Sequence, residues 1–106
     1  MQIVPLKATA NQTTLVQLNG QSVQLNVYQK STGLFMDVLV SNLVIITGVL
    51  CRNKRFIIYN GYLGFSGDLM FIDNQGDDDP DYTGLGDRWS LVYILPSELP
   101  VNGVYG

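Results

Sequence analysis

The residues that could carry chemistry are few, and one segment holds most of them. From Asp73 to Asp87 the chain reads Asp-Asn-Gln-Gly-Asp-Asp-Asp-Pro-Asp-Tyr-Thr-Gly-Leu-Gly-Asp, and seven of its nine acids lie between Asp68 and Asp87. Clustered carboxylates are the ordinary ligands of calcium, yet the EF-hand pattern fails here. Asp78 stands where the turn glycine belongs, and no glutamate closes the loop. Paired carboxylates also serve glycoside hydrolysis, but a chain of 106 residues leaves little room for the cleft that such a substrate needs. Histidine is absent altogether, which removes the commonest general base, the usual partner of a serine or cysteine nucleophile, and the commonest zinc ligand. The lone Cys51 follows an apolar stretch and reads as a small buried hydrophobe. Gly61, Gly64 and Gly67 match no phosphate-binding loop, since neither a strand-to-helix transition nor a Gly-Lys-Ser follows them. No catalytic residue, metal ligand or cofactor site is expected.

Charge is sparse and segregated. Arg52, Lys54 and Arg55 are half of all the basic residues, and the net charge is −3. Three cations on an acidic chain are a poor footprint for nucleic acid, which calls for a broad basic stripe interleaved with aromatics. The trio reads first as a solvated turn. The longest apolar stretch, Leu43 to Cys51, is broken by Thr47 and Gly48 and falls far short of the roughly 20 residues that span a bilayer, so no membrane insertion is expected. The opening residues lack the pattern of a secretory signal, which makes the cytosol the default site of synthesis.

The elements that must position these residues are strands. Apolar and polar residues alternate, Val, Ile, Thr, Phe and Tyr are plentiful, and no segment offers ten residues of helical periodicity. The firmest element is a hairpin from Thr14 to Tyr28 about Asn19-Gly20, because both residues tolerate the positive φ of a type I′ turn. Val23, Leu25 and Val27 then share one face, while Ser22, Gln24 and Asn26 share the other. Turns at Lys30-Ser31-Thr32-Gly33 and Ser41-Asn42 bound two more strands, Leu34 to Val40 and Leu43 to Cys51. Asp37 lies within the first of these and must point out of the sheet or toward a cation, since an unpaired buried carboxylate is costly. Phe56 to Tyr59 and Tyr62 to Phe65 flank Asn60-Gly61, a second hairpin signal, and Asp68 to Asp73 and Arg88 to Leu95 complete about eight antiparallel strands. Pro5 confines Gln2 to Lys7 to a sheet edge or bulge. The expectation is one all-β domain over residues 1–95, a small barrel or sandwich, followed by an extended tail over residues 96–106.

Several stretches carry a resemblance. They are Met1 to Leu6, Leu25 to Gln29, Gly33 to Asp37 and Gly48 to Cys51, and most specifically Tyr62-Leu63-Gly64-Phe65-Ser66-Gly67-Asp68-Leu69 and Asp79-Pro80-Asp81-Tyr82-Thr83-Gly84-Leu85-Gly86. From Met1 to about Leu95 the chain resembles the baseplate plug proteins of contractile-tailed bacteriophages. The resemblance implies a structural virion protein of the tail baseplate, assembled in the host cytoplasm. Such a protein closes or links the distal end of the tail tube to the central hub and spike, with copies of itself and other tail proteins as partners and with no reaction. In that setting Arg52, Lys54, Arg55, Asp77, Asp78, Asp79, Asp81 and Tyr82 become candidate assembly contacts, on the ground of their opposite charges. The competing expectation is a small binding module for calcium or a surface glycan. It would use the acidic loop over residues 73–87 together with Tyr59, Tyr62, Tyr82 and Trp89.

Overall fold

A computed structural model describes residues 2–58 and 67–98. Seven strands occur in this part of the chain: β1 (Gln2–Val4), β2 (Asn11–Leu18), β3 (Gln21–Lys30), β4 (Gly33–Val40), β5 (Leu43–Leu50), β6 (Asp68–Asp73) and β7 (Trp89–Ile94). They form two antiparallel sheets. One has the order β2-β3-β4-β5 and the other β1-β7-β6. Among the described residues no closed barrel forms.

The four-stranded sheet is a meander whose turns follow from its residues. Asn19 and Gly20 have φ of 52° and 77°, and Ser41 and Asn42 have φ of 50° and 66°, the paired left-handed conformations that match the twist of a two-residue hairpin. β2 and β3 pair in register from Asn11↔Tyr28 to Leu18↔Gln21. Alternation then sorts the side chains. Leu18, Val23, Leu25, Val27, Leu34, Met36 and Val38 are buried, and they join Val4, Leu69, Phe71, Leu91 and Tyr93 of the smaller sheet in one apolar core. The opposite face of the larger sheet carries Thr13, Leu15, Gln17, Gln24, Asn26 and Asp37.

Asp37 points out of the sheet, as an unpaired carboxylate should. Its partners are neutral groups: it accepts from Tyr28 Oη at 3.0 Å and from the Gly48 N–H at 2.8 Å. This second bond explains the local irregularity of β5. Met36 pairs with Val49 but Val38 pairs with Ile46, so Thr47 and Gly48 together oppose Asp37 in a bulge that swings the Gly48 N–H onto the carboxylate.

Over the described residues 56–58, the strand expected from Phe56 to Tyr59 does not form. Phe56 makes an isolated bridge to Met70, and the Ile57 N–H donates to the Leu69 carbonyl. The next N–H, that of Ile58, donates at 2.8 Å to Oδ1 of buried Asp68 in place of a ladder carbonyl, which ends the pairing. The Asn60-Gly61 turn, the Tyr62 to Phe65 strand and the tail beyond Glu98 lie outside the described residues. Pro96–Glu98 is a single 3-10 turn.

Candidate assembly surface

The acidic loop starts at the end of β6 and returns at the start of β7, where Asp73 and Trp89 are directly opposite one another. Its charge is organised around one cation. Arg88 is the only basic residue between Asp68 and Leu95. Its Nε lies 3.0 Å from Asp73 Oδ1 and its Nη2 lies 2.9 Å from Asp73 Oδ2. The same Nη2 reaches Asp78 Oδ2 at 2.8 Å, and the guanidinium stacks 4.6 Å from the centre of the Trp89 ring.

Asp73 is fully buried, so every lone pair needs a donor. Oδ1 also accepts from the Gln75 N–H at 2.8 Å, and Oδ2 from the Asp78 N–H at 2.9 Å. Arg88 above all, then these two amides, holds the Asp73 carboxyl well below the usual carboxylate range against the opposing effect of burial, and Asp73 in turn raises the Arg88 guanidinium. Trp89 closes the arrangement from beneath. It belongs to the core, and its Nε1 donates to the Asp78 carbonyl at 3.0 Å.

The basic turn lies against this loop within the same chain. The Asn53 N–H donates to Asp79 Oδ1 at 3.0 Å, and Asn53 Oδ1 accepts the Asp73 N–H at 2.8 Å. Lys54 Nζ stands 3.6 Å from Asp77 Oδ1, with side chains 59% and 88% exposed, an ion pair too solvated to hold much. Arg52 and Arg55 are exposed and make no ion pair among the described residues.

Asp81 is the N-cap of the 3-10 turn Tyr82–Gly84, and its Oδ1 accepts from Thr83 Oγ1 at 2.7 Å and from the Thr83 N–H at 2.9 Å. The two bonds lower its carboxyl below the usual value, the hydroxyl more than the amide. Tyr82 packs on the core, and its N–H donates to Gln29 Oε1 of β3 at 3.2 Å, tying the loop to the larger sheet.

The eight candidate contacts therefore fall into two groups. Asp78, Asp79, Asp81 and Tyr82 bond within the chain and shape the loop. Arg52, Lys54, Arg55 and Asp77 are exposed, with Lys54 set against Asp77.

Asp73, Arg88 and Asn53 organise this surface, and sequence reasoning missed their roles. The signal was there for Arg88, a solitary cation closing an acidic run. Nothing in the sequence pairs Asn53 with residues twenty and more positions away.

Among the described residues, no group of three or more acids, cysteines or histidines could hold a metal ion. Asp73, Asp78, Asp79 and Asp81 are directed at backbone amides, Arg88 and the Thr83 hydroxyl, and Asp77 faces Lys54, so the geometry lends the calcium reading no support. Tyr59 and Tyr62, which the glycan reading requires, lie outside the described residues, and Trp89 serves the core. Cys51 is buried, and that burial pushes its thiol up to about 12, so it is a poor nucleophile.

The family model described as cyanophage baseplate Pam3 plug gp18 matches residues 1–96. No curated protein matches the chain.

Proposed function

Because the chain belongs to this family of phage baseplate plug proteins, we propose that it closes or links the distal end of a contractile tail tube to the central hub and spike. A structural role in the tail baseplate of the virion follows from the family itself. The finer reading is that several copies, assembled in the host cytoplasm, surround the tube axis and contact tube, hub and spike proteins. Residues 1–95 would be the folded unit, with the 96–106 tail reaching outward. No reaction is assigned to it.

The observation that carries this reading is the family match. The acidic loop and basic turn support it, because they lie against each other and expose charges of both signs, as surfaces that set register between subunits do. Arg52, Lys54, Arg55 and Asp77 would meet neighbouring proteins directly. Asp78, Asp79, Asp81 and Tyr82 would hold the loop in the shape those neighbours recognise.

Two measurements test it. Mass spectrometry of purified tails should find this chain at a copy number far below that of the tube protein, and its absence from intact particles would overturn the reading. Arg55→Asp combined with Asp77→Ala changes only exposed side chains, so the fold should survive while incorporation into tails falls. Unchanged incorporation would remove the charged surface from the proposal.

A further inference from the structure

Two sheets have four edges, and three of them are blocked by identifiable features. β1 is three residues long and runs into Pro5. β5 is interrupted by two register shifts. β6 is bridged by Asn53 and Phe56. Short length, proline, bulges and covering segments are the ordinary means of stopping a sheet from pairing with another chain. β2 meets a covering segment only at its start, where the Lys7 N–H donates to Gln12 Oε1, Gln12 Nε2 donates to the Lys7 carbonyl and Thr9 Oγ1 donates to the Asn11 carbonyl; from Thr13 to Gln17 it has none of them. It is eight residues of regular strand, Asn11–Leu18, with no proline, no charge and no bulge, and among the described residues no strand lies beyond it.

The alternation of ladder bonds shows which groups face outward. The Gln29 N–H donates to the Ala10 carbonyl, and the register carries this pattern to Gln12, Thr14, Val16 and Leu18, which bond to β3. The backbone groups of Thr13, Leu15 and Gln17 therefore point away from the sheet. Their side chains do not cover that edge: Thr13 Oγ1 bonds Asn26 Oδ1 and Gln17 Nε2 bonds Ser22 Oγ, both on β3. Leu15, at the centre, is 76% exposed, the most exposed large hydrophobic residue in the described chain.

We propose that β2 pairs antiparallel with β2 of a second copy of this chain, across a two-fold axis at Leu15. This continues the two sheets into one and rests on the proposed multiplicity of copies only for its place in the tail. The register is selected by side chains. With Leu15 opposite Leu15 of the second copy, Thr13 faces Gln17 in both directions, so apolar meets apolar and polar meets polar. A shift of two residues sets Leu15 against a polar residue, Thr13 or Gln17. Charge selects the occupant. Copies of this chain repel one another wherever their acidic loops approach, and β2, uncharged and on the other sheet, is an edge where they meet without that repulsion.

Sedimentation velocity over a wide range of concentration tests the pairing. The wild-type chain should approach twice the monomer mass as concentration rises. Leu15→Pro removes an outward N–H without removing a bond to β3, and Leu15→Lys brings two charges together, so each should raise the dissociation constant at least about tenfold. Val44→Lys, on β5, should leave it unchanged. Opposed residues in such a pair have Cα atoms about 5.5 Å apart, within disulfide reach, so Leu15→Cys should cross-link on oxidation and Thr13→Cys should not. A wild-type chain that stays monomeric throughout, dimers that survive both Leu15 variants, or Thr13→Cys cross-linking as readily as Leu15→Cys would each overturn the proposal. A monomer that is nonetheless present in tails defeats this pairing alone, whereas a dimer absent from tails defeats the baseplate reading alone.

Discussion

Arg88 grips both carboxylate oxygens of Asp73, through Nε at 3.0 Å and Nη2 at 2.9 Å, and this fork closes a loop whose ends are opposed strand residues. A lysine keeps the charge and loses both the fork and the stacking on Trp89. Arg88→Lys should therefore lower the melting temperature by several degrees and admit proteases to the segment between Asn74 and Asp87. Limited proteolysis with mass mapping checks this, and cleavage no faster than in the wild type would show that the loop does not depend on the fork.

The same pair gives the protein an acid limit. Asp73 is held below its ordinary value in the folded state, so its contribution is fully present above the unfolded-state value of about 3.9 and is lost as pH falls through the lower folded value. Stability should be flat in this respect from neutrality to about pH 5 and decline below about pH 4. Asp73→Asn should be less stable at neutral pH and should flatten the acid decline, leaving a smaller slope from Asp81. Thermal melts of both proteins across this range decide it, and parallel acid declines would count against the assignment.

Two glycines should respond differently to alanine. At Gly20, φ is +77° and a Cβ would meet nothing, so the cost is backbone conformation alone, about 1 kcal/mol, and Gly20→Asn should recover most of it. At Gly84, a Cβ would overlap the Trp89 ring, so Gly84→Ala must displace a core indole that holds the loop, and should cost more, about 1–3 kcal/mol. Denaturant unfolding of the three variants tests the ranking; a Gly20→Ala loss exceeding that of Gly84→Ala would contradict it.

On the outer face of the larger sheet, Tyr28→Phe deletes the hydroxyl that donates to Asp37 and should cost about 0.5–1.5 kcal/mol. Asp37→Ala should cost more, because it also deprives the Gly48 N–H of its acceptor and loosens the bulge in β5. Burial and then the bond to Asp37 raise the Tyr28 phenol, so its titration should move down toward the ordinary tyrosine value in Asp37→Ala. A phenol that titrates identically in both proteins would remove Asp37 from that role.

Much of the fold was legible because it is local. Asn-Gly between alternating segments defines a hairpin from two residues, and the structure has β2 and β3 about that turn. β6 spans Asp68–Asp73, the run read from its composition, and β7 differs from its expected span only at the ends. Phe56 misled because its apolar neighbours fit a strand. What ended the pairing was Asp68, ten residues beyond Ile58 in sequence.

The sequence by itself determined an all-β chain, its turns, its buried face, the family likeness and the segregation of charge, since each depends on residue type at short spacing. Only the tertiary structure decided what the charges do. The acidic loop and basic turn, set apart in sequence as opposite poles, fold onto each other within one chain, because Asn53, Asp73 and Arg88 are brought together by the pairing of β6 with β7 and the bridge from Asn53 to Phe71. Long-range pairing also decided which strand edges are blocked, a property of neighbours in space that no residue of β2 carries alone.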